Sequence, residues 1–450
     1  MDASIFKAYD IRGIYPTEID EAGAEQIGRS FAGRLTEDYP ARAIRIAVGR
    51  DSRLSSPQLH AAFVKGVLAG GISIDDLGLV PSELVYFAVG KFGYDAGAVV
   101  TASHNPKEYN GIRMIDHDGV MQSGKSLLEW MKKHPDLQPA KKAGVSTEKN
   151  LVNEYVEHAL SFIQTAKLKP LNVVVDAGNG MAGVTIPELF KRIPGKLIGL
   201  NLELDGNFPN RPPNPLDEAS QRAAKAAVKK EGADLGVIFD GDADRVFFVT
   251  EKGEVLRGDI GLLILARALL AHEPGAAVSY NLVCSRIVRE KIAEWGGTPV
   301  RTPVGFVNVS RPLHTQKAVM GGETAAHYCY RDNYCADSGL ISLVLMLELL
   351  STSGQKLSEL AAGLNPYFRK ELAIEVFHTP PVIEKLKAHY ANSRLDELDG
   401  LTVEYDDWWF NVRGSNTEPL LRITVETNKK TALEPKIAEL SRVVAEAVKG

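Results

Sequence analysis

The chain has 450 residues, 44% hydrophobic and 24% charged, a balance that excludes a disordered chain, a fibrous repeat and a disulfide-stapled miniprotein. Acidic residues outnumber basic ones 57 to 52, a net charge of -5, so no basic excess exists to hold a nucleic-acid backbone. Three cysteines, Cys284, Cys329 and Cys335, are too few for a disulfide framework and fit no zinc spacing.

The segment Met1–Lys7 lacks the apolar stretch of a signal peptide, and no apolar run reaches the length of a membrane span. A cytoplasmic protein with neither nucleic acid nor membrane as partner is expected. At ~150 residues per domain the chain should hold three or four units. Ile44–Val48 opens the first as a strand, and a second strand ends in Val99-Val100-Thr101-Ala102-Ser103-His104. Residues 132–150, rich in Lys, Pro and Gly without an apolar period, read as a linker. Leu171–Val175 opens a second unit, four prolines within Pro209–Pro215 forbid helix or central strand there, and Ala233–Phe239 runs into Asp240-Gly241-Asp242. Asp259 can cap a helix through Leu269, and Ala277–Tyr280 opens a third unit whose second strand ends at Gly322-Glu323. Asp337 or Ser338 can cap a helix through Leu350, and Gly363–Pro366 marks a joint. Beyond it Leu401–Tyr405 and Leu421–Val425 read as strands, and Leu433, Ile437, Leu440, Val444 and Val448 trace an amphipathic helix. Strands alternating with helices predict α/β layers with largely parallel sheets, and the tail predicts a smaller α+β domain. Three similar units, each offering a polar loop at the carboxyl end of a strand, predict one site assembled between domains.

The sharpest chemistry is Asp240-Gly241-Asp242-Ala243-Asp244-Arg245. Three carboxylates at alternate positions of a loop offer hard oxygen ligands for Mg²⁺ or Ca²⁺, and without a cation they would repel one another. An EF-hand is rejected, because Arg245 stands where the sharp turn needs Gly and Val246–Val249 reads as strand. Arg245 suits a phosphate at the same place. Thr101–Pro106 can expose the Ser103 hydroxyl on a rigid turn, as a nucleophile or a phosphorylated serine; taken alone, the same residues read more simply as an ordinary turn. Arg413–Pro419 can cradle a phosphate or be a polar hairpin loop. Gly178-Asn179-Gly180-Met181-Ala182-Gly183 matches the dinucleotide fingerprint, but Asp176 and Ala177 separate it from the strand, and the match is weak among 40 glycines.

Together these residues resemble the α-D-phosphohexomutase superfamily, closest to its bacterial phosphomannomutase/phosphoglucomutase branch. The resemblance runs from Phe6–Gly13 and Gly49–Arg53 through Thr101–Pro106, Asp205–Asn210, Asp240–Arg245 and Gly322–His327 to Arg413–Pro419. It implies three similar α/β sandwich domains (1–148, 149–252, 253–364) and a smaller α+β C-terminal domain (365–450) around one central cleft. It implies an intramolecular phosphotransferase that interconverts hexose 6-phosphate and hexose 1-phosphate, of mannose and/or glucose. Ser103 would carry the phosphoryl group, with Asp240, Asp242 and Asp244 holding Mg²⁺ beside it, and a sugar bisphosphate would be both intermediate and activator. Arg413, Ser415, Asn416 and Thr417 match the loop that grips the non-reacting phosphate. Glu323 matches a sugar-contacting glutamate, and Tyr9, Arg12, His104 and His327 match cleft-lining positions. The phosphosugar is the expected partner of a monomer or weak dimer.

Four positions depart from the family pattern: Arg113, Ala325, Phe306 and Val283 replace the usual lysine, serine, histidine and lysine. The last three bear on which sugar is read, and the first on acid–base chemistry. A guanidinium stays protonated at any workable pH, so proton acceptance is expected to fall to His327. A phosphoglucosamine mutase and a non-catalytic phosphosugar-binding relative are the alternatives within the fold.

Overall fold

In a computed structural model the chain is described except for residues 1, 41, 377, 415–419 and 450. It divides into two compact units, Met1–Gly261 with Ala325–Leu360, and Leu262–Thr324 with Ala361–Gly450. No helix among the described residues is long and apolar enough to cross a membrane.

The first unit contains two mixed sheets. The larger runs Ile11–Ile14, Tyr109–Asp116, Ala96–Val100, Arg45–Arg50, Ser73–Leu79, Ser146–Glu148. Arg45–Arg50 pairs in parallel with both Ser73–Leu79 and Ala96–Val100, and Tyr109–Asp116 returns antiparallel. The smaller runs Val246–Val249, Leu235–Phe239, Leu171–Asp176, Gly195–Leu200, parallel except for the Val246–Val249 edge. Ile46-Ala47-Val48, Val173–Val175 and Val237-Ile238 are buried throughout, as parallel strands covered on both faces must be. Helix Gly339–Ser353 closes the unit, and the Ser338 hydroxyl accepts from the Ile341 amide at its start, so Ser338 is the cap and Asp337 is not.

In the second unit Thr298–Thr302, Ala277–Asn281 and Met320–Gly322 lie side by side in parallel. A five-stranded antiparallel sheet follows, ordered Phe368–Glu375, Leu420–Thr427, Trp408–Gly414, Leu401–Glu404, Arg394–Asp396. Helix Lys430–Lys449 packs Ile437, Leu440 and Val444 into its core beside Phe410, Leu421 and Val425. Three parallel-stranded α/β sheets and one antiparallel α+β sheet bear out the fold class.

Four details differ from expectation. The linker contains an edge strand, Ser146–Glu148, held by backbone pairing with Ile74–Asp76 while its side chains stay exposed, so no apolar alternation announces it. Asp259 lies inside the first turn of helix Gly258–His272, paired with Arg257, rather than before it. Val448 is 49% exposed, and its neighbour Ala447 is the residue of the last turn that enters the core. Arg413 belongs to a strand, not to the loop it was grouped with.

Candidate active site

The serine loop leaves the carboxyl end of Ala96–Val100. Ser103 is 2% exposed and takes φ +49°, a left-handed conformation that costs a residue with a side chain roughly 1 kcal/mol. Its amide donates to Thr101 Oγ1 at 2.9 Å, and the Asn105 amide reaches back to the Ala102 carbonyl. The loop is therefore a built turn. Its hydroxyl donates to Asp240 Oδ2 at 3.0 Å and lies 3.3 Å from His104 Nδ1.

The acidic loop joins Leu235–Phe239 to its antiparallel neighbour Val246–Val249, with Ala243 at φ +67°. Gly241 is required by close approach: a Cβ there would sit 2.5 Å from the Ser103 carbonyl oxygen. Oxygens of Asp240, Asp242 and Asp244 lie within 4.8 Å of one another, and all three residues are fully buried. Arg245 grips Asp240 at 2.9 Å and its guanidinium reaches Ser103 Oγ at 3.4 Å. Arg113 donates to Asp244 at 2.7 Å and stands 3.6 Å from Asp242. Even so, Asp242 Oδ1 and Asp244 Oδ1 are buried without a hydrogen-bond partner among the described residues. Buried carboxylate oxygens left over in a hard-oxygen cluster fit a divalent cation such as Mg²⁺.

The surrounding charges sort the two histidines. The Arg245 guanidinium and burial hold His104 well below its ordinary pKa, so its imidazole is neutral beside the serine hydroxyl. Burial alone would lower His327 too, but the Asp244 carboxylate and a 2.7 Å hydrogen bond with Asp337 outweigh it and push it up to about 9. His327 is thus biased toward its protonated form and His104 toward its neutral form. Burial pushes the Asp240 carboxyl upward against the pull of Arg245, with Asp244 and Asp242 adding like charge. Burial opposes the ionisation of Arg113, yet Asp244 and Asp242 hold its charge firmly.

Arg12 reaches the same loop, donating to Asn105 Oδ1 at 2.6 Å and pairing with Asp10. Tyr9 is half-buried in the bend before Ile11–Ile14. Ser103, His104, Arg113, Asp240, Asp242, Asp244, Arg245 and His327 are thus brought together in the first unit, with Arg12 alongside. Glu323 and Arg413 belong to the second unit. Glu323 Oε1 accepts from Asn281 Nδ2 at 3.1 Å and from the Gly305 amide at 3.0 Å, just before Phe306 starts a helix. Arg413 pairs in register with Arg422 across the strands flanking 415–419. Ser415, Asn416 and Thr417 lie outside the described residues.

The dinucleotide fingerprint has another use. A Cβ on Gly178 would meet the Arg211 guanidinium at 2.4 Å, so an internal arginine, tied to Asp176 at 3.0 Å, occupies that glycine's open side. Sequence reasoning missed three buried supports. Ser82 donates its hydroxyl to Asp242 Oδ2 at 2.6 Å and its amide to the Asp242 carbonyl, Asp337 anchors His327, and Arg53 underlies the serine loop. Asp51-Ser52-Arg53 was the one signal available, since an acid and a base two residues apart can pair.

Family models described as phosphoglucomutase/phosphomannomutase alpha/beta/alpha domains I, II and III match residues 3–129, 153–253 and 257–367. The chain is 36% identical over 458 residues to a protein named phosphomannomutase from Vibrio cholerae, covering 98% of each. It is 36% identical over 453 residues to one named phosphohexose mutases from Xanthomonas campestris, covering 99% of this chain and 100% of that one. A crystal structure of a phosphoglucomutase/phosphomannomutase family protein from Burkholderia thailandensis superposes with a TM-score of 0.92 at 33% identity, over 99% of this chain and 98% of the other.

Proposed function

Because the chain belongs to the phosphoglucomutase/phosphomannomutase family, we propose that it is a phosphohexomutase interconverting hexose 6-phosphate and hexose 1-phosphate, of mannose and/or glucose. By net reaction it is an isomerase; by mechanism it is a phosphotransferase with Ser103 as carrier. The observation that carries this reading is the Ser103 hydroxyl, buried 3.0 Å from the Asp240 carboxylate and within reach of Arg245. Phosphoryl transfer asks for charge neutralisation and in-line positioning more than for covalent chemistry, and these residues supply both.

The bond between phosphorus and Ser103 Oγ breaks as a sugar hydroxyl oxygen bonds to phosphorus, giving a bisphosphorylated sugar and the free serine hydroxyl. Neutral His104 accepts the sugar hydroxyl's proton and, 3.3 Å from Ser103 Oγ, delivers a proton to the departing serine oxygen. His327, its charge held by Asp337 and Asp244, presents a cation to the site, and Arg245 and Arg12 offer forked donors to phosphate oxygens. The intermediate turns over and returns its other phosphate to Ser103, so added sugar bisphosphate acts as an activator. Asp240, Asp242 and Asp244, with Ser103, would hold Mg²⁺, which when bound neutralises charge on the transferring phosphoryl group. Glu323 would bind sugar hydroxyls, Arg413, Ser415, Asn416 and Thr417 the non-reacting phosphate, and Tyr9 would line the site. Division into domains 1–148, 149–252, 253–364 and 365–450 goes with this reading. It is supported by the six-stranded sheet, the four-stranded sheet from 171 to 249, the parallel trio from 277 to 322 and the antiparallel sheet each falling within one segment.

The test is turnover of mannose 1-phosphate, glucose 1-phosphate and glucosamine 1-phosphate with Mg²⁺ and the matching bisphosphate. Turnover of mannose or glucose phosphate supports the proposal. Turnover of glucosamine phosphate alone, or of none, overturns it.

A further inference from the structure

The serine loop is gathered around one buried guanidinium. Arg53 is 1% exposed, and its Nε donates to Asp51 Oδ2 at 3.1 Å. Nη1 donates to the carbonyls of Pro106 at 2.7 Å and Tyr109 at 3.0 Å. Nη2 donates to the carbonyls of Ser103 at 2.8 Å and Asn105 at 2.7 Å. All five guanidinium donors are used, four of them on one short segment of chain. Phe208 stands over the group, its ring centroid 5.1 Å away.

Asp51 balances the charge and extends the clasp. It accepts from the Arg53 amide at 3.0 Å, from the Ser56 hydroxyl at 2.5 Å and from Thr101 Oγ1 at 2.7 Å. Thr101 Oγ1 in turn accepts from the Ser103 amide at 2.9 Å. Both sides of Ser103, its N–H through Thr101 and its C=O through Arg53, therefore end on the same buried ion pair. The residue so held is the one at φ +49°, a conformation that persists only where its surroundings over-determine it.

We propose that Arg53 is a positioning residue for phosphoryl transfer. It touches no reacting atom; it holds Ser103 in the left-handed turn that aims the hydroxyl at Asp240. The inference rests on Ser103 being the carrier. Lysine at this position would keep the charge but not the planar fork, and a single ammonium cannot span four carbonyls.

Arg53→Lys, Ser103→Ala and the wild type are compared for steady-state turnover with sugar bisphosphate, Ser103 phosphate by intact mass, and Mn²⁺ affinity. A shift of ~1 Å in a reacting group can cost about 100-fold, so kcat of Arg53→Lys should fall by about that factor. KM and Mn²⁺ affinity should stay near wild type, and acquisition of phosphate on Ser103 should slow in parallel. If Arg53→Lys does not fold, Thr101→Val, which cuts only the arm to the Ser103 amide, should give the same split. Wild-type kcat in the folded variant, or loss of kcat, KM and Mn²⁺ binding together, would overturn the proposal. Turnover by Ser103→Ala would be a separate failure, of the carrier itself.

Discussion

Arg113 shows how one side chain can change the terms of a metal site. Its guanidinium donates to Asp244 at 2.7 Å and, with Arg245 on Asp240, neutralises part of the charge that a divalent cation would meet. Breaking a buried pair of this kind typically costs about 3 kcal/mol, so Arg113→Met should melt well below wild type without Mg²⁺. Added Mg²⁺ should then raise its melting temperature by more than it raises that of the wild type, since the cation has less positive charge to compete with. Scanning fluorimetry with and without Mg²⁺ checks this, and equal metal-induced shifts would count against it. The acidic loop and the serine were legible because each is a short run of unusual composition. Their partners were not: Ser103 and Asp240 are 137 positions apart and Ser82 and Asp242 are 160 apart, and no local pattern encodes such meetings. The protonation of the histidines was not legible for a related reason. His327 has its charge set by Asp337 and Asp244, so its type alone could not say which way its pKa moves.

Strands that open the α/β units were readable because burial on both faces leaves continuous Val, Ile and Ala runs. The C-terminal sheet was half readable. Phe368–Glu375 and Arg394–Asp396 are edge strands with no fully buried residue, and their pairing supplies what their composition does not announce. Between the elements of the second unit, Arg286 at the start of helix Arg286–Glu294 acts as a strap. It donates to the carbonyls of Asp406 at 2.9 Å and Tyr405 at 3.0 Å, while its amide donates to Glu426 Oε1 at 3.1 Å. Charged hydrogen bonds contribute roughly 1.5 kcal/mol or more, about tenfold in an opening equilibrium. Arg286→Ala should therefore lose about that factor of hydrogen-exchange protection at the Tyr405 amide, which donates to Trp408 in this turn. Unchanged protection would mean that the turn holds itself.

At the scale of the molecule, stability carries a signature from a single buried acid. Glu83 is fully buried where helix Ser82–Phe92 meets Tyr155 and the start of helix Gly339–Ser353. Burial pushes its carboxyl from 4.5 up to about 8, against hydrogen bonds from Ser338 and the Leu340 amide. A folded-state pKa raised above the unfolded one makes a contribution that is whole below 4.5 and is lost as pH rises toward 8. Glu83→Gln, which cannot ionise, should gain on the wild type in melting temperature steadily between pH 5 and about 8, with a flat difference at lower pH. A difference independent of pH would show that Glu83 ionises normally. The order of the chemical loops was readable from the chain, whereas this acid was not: the apolar run Leu84–Val89 marks a buried helix, but only the fold shows that Glu83 is buried with it.

Everything in the functional account passes through the Ser103 oxygen. The most direct measurement is intact mass of the protein after exposure to glucose 1,6-bisphosphate, paired with mutase turnover, for the wild type and Ser103→Ala. The account predicts a phosphate on the wild type that is absent from Ser103→Ala, together with loss of nearly all turnover in that variant. Ser103→Ala that still carries the phosphate, or still turns over near the wild-type rate, would contradict it.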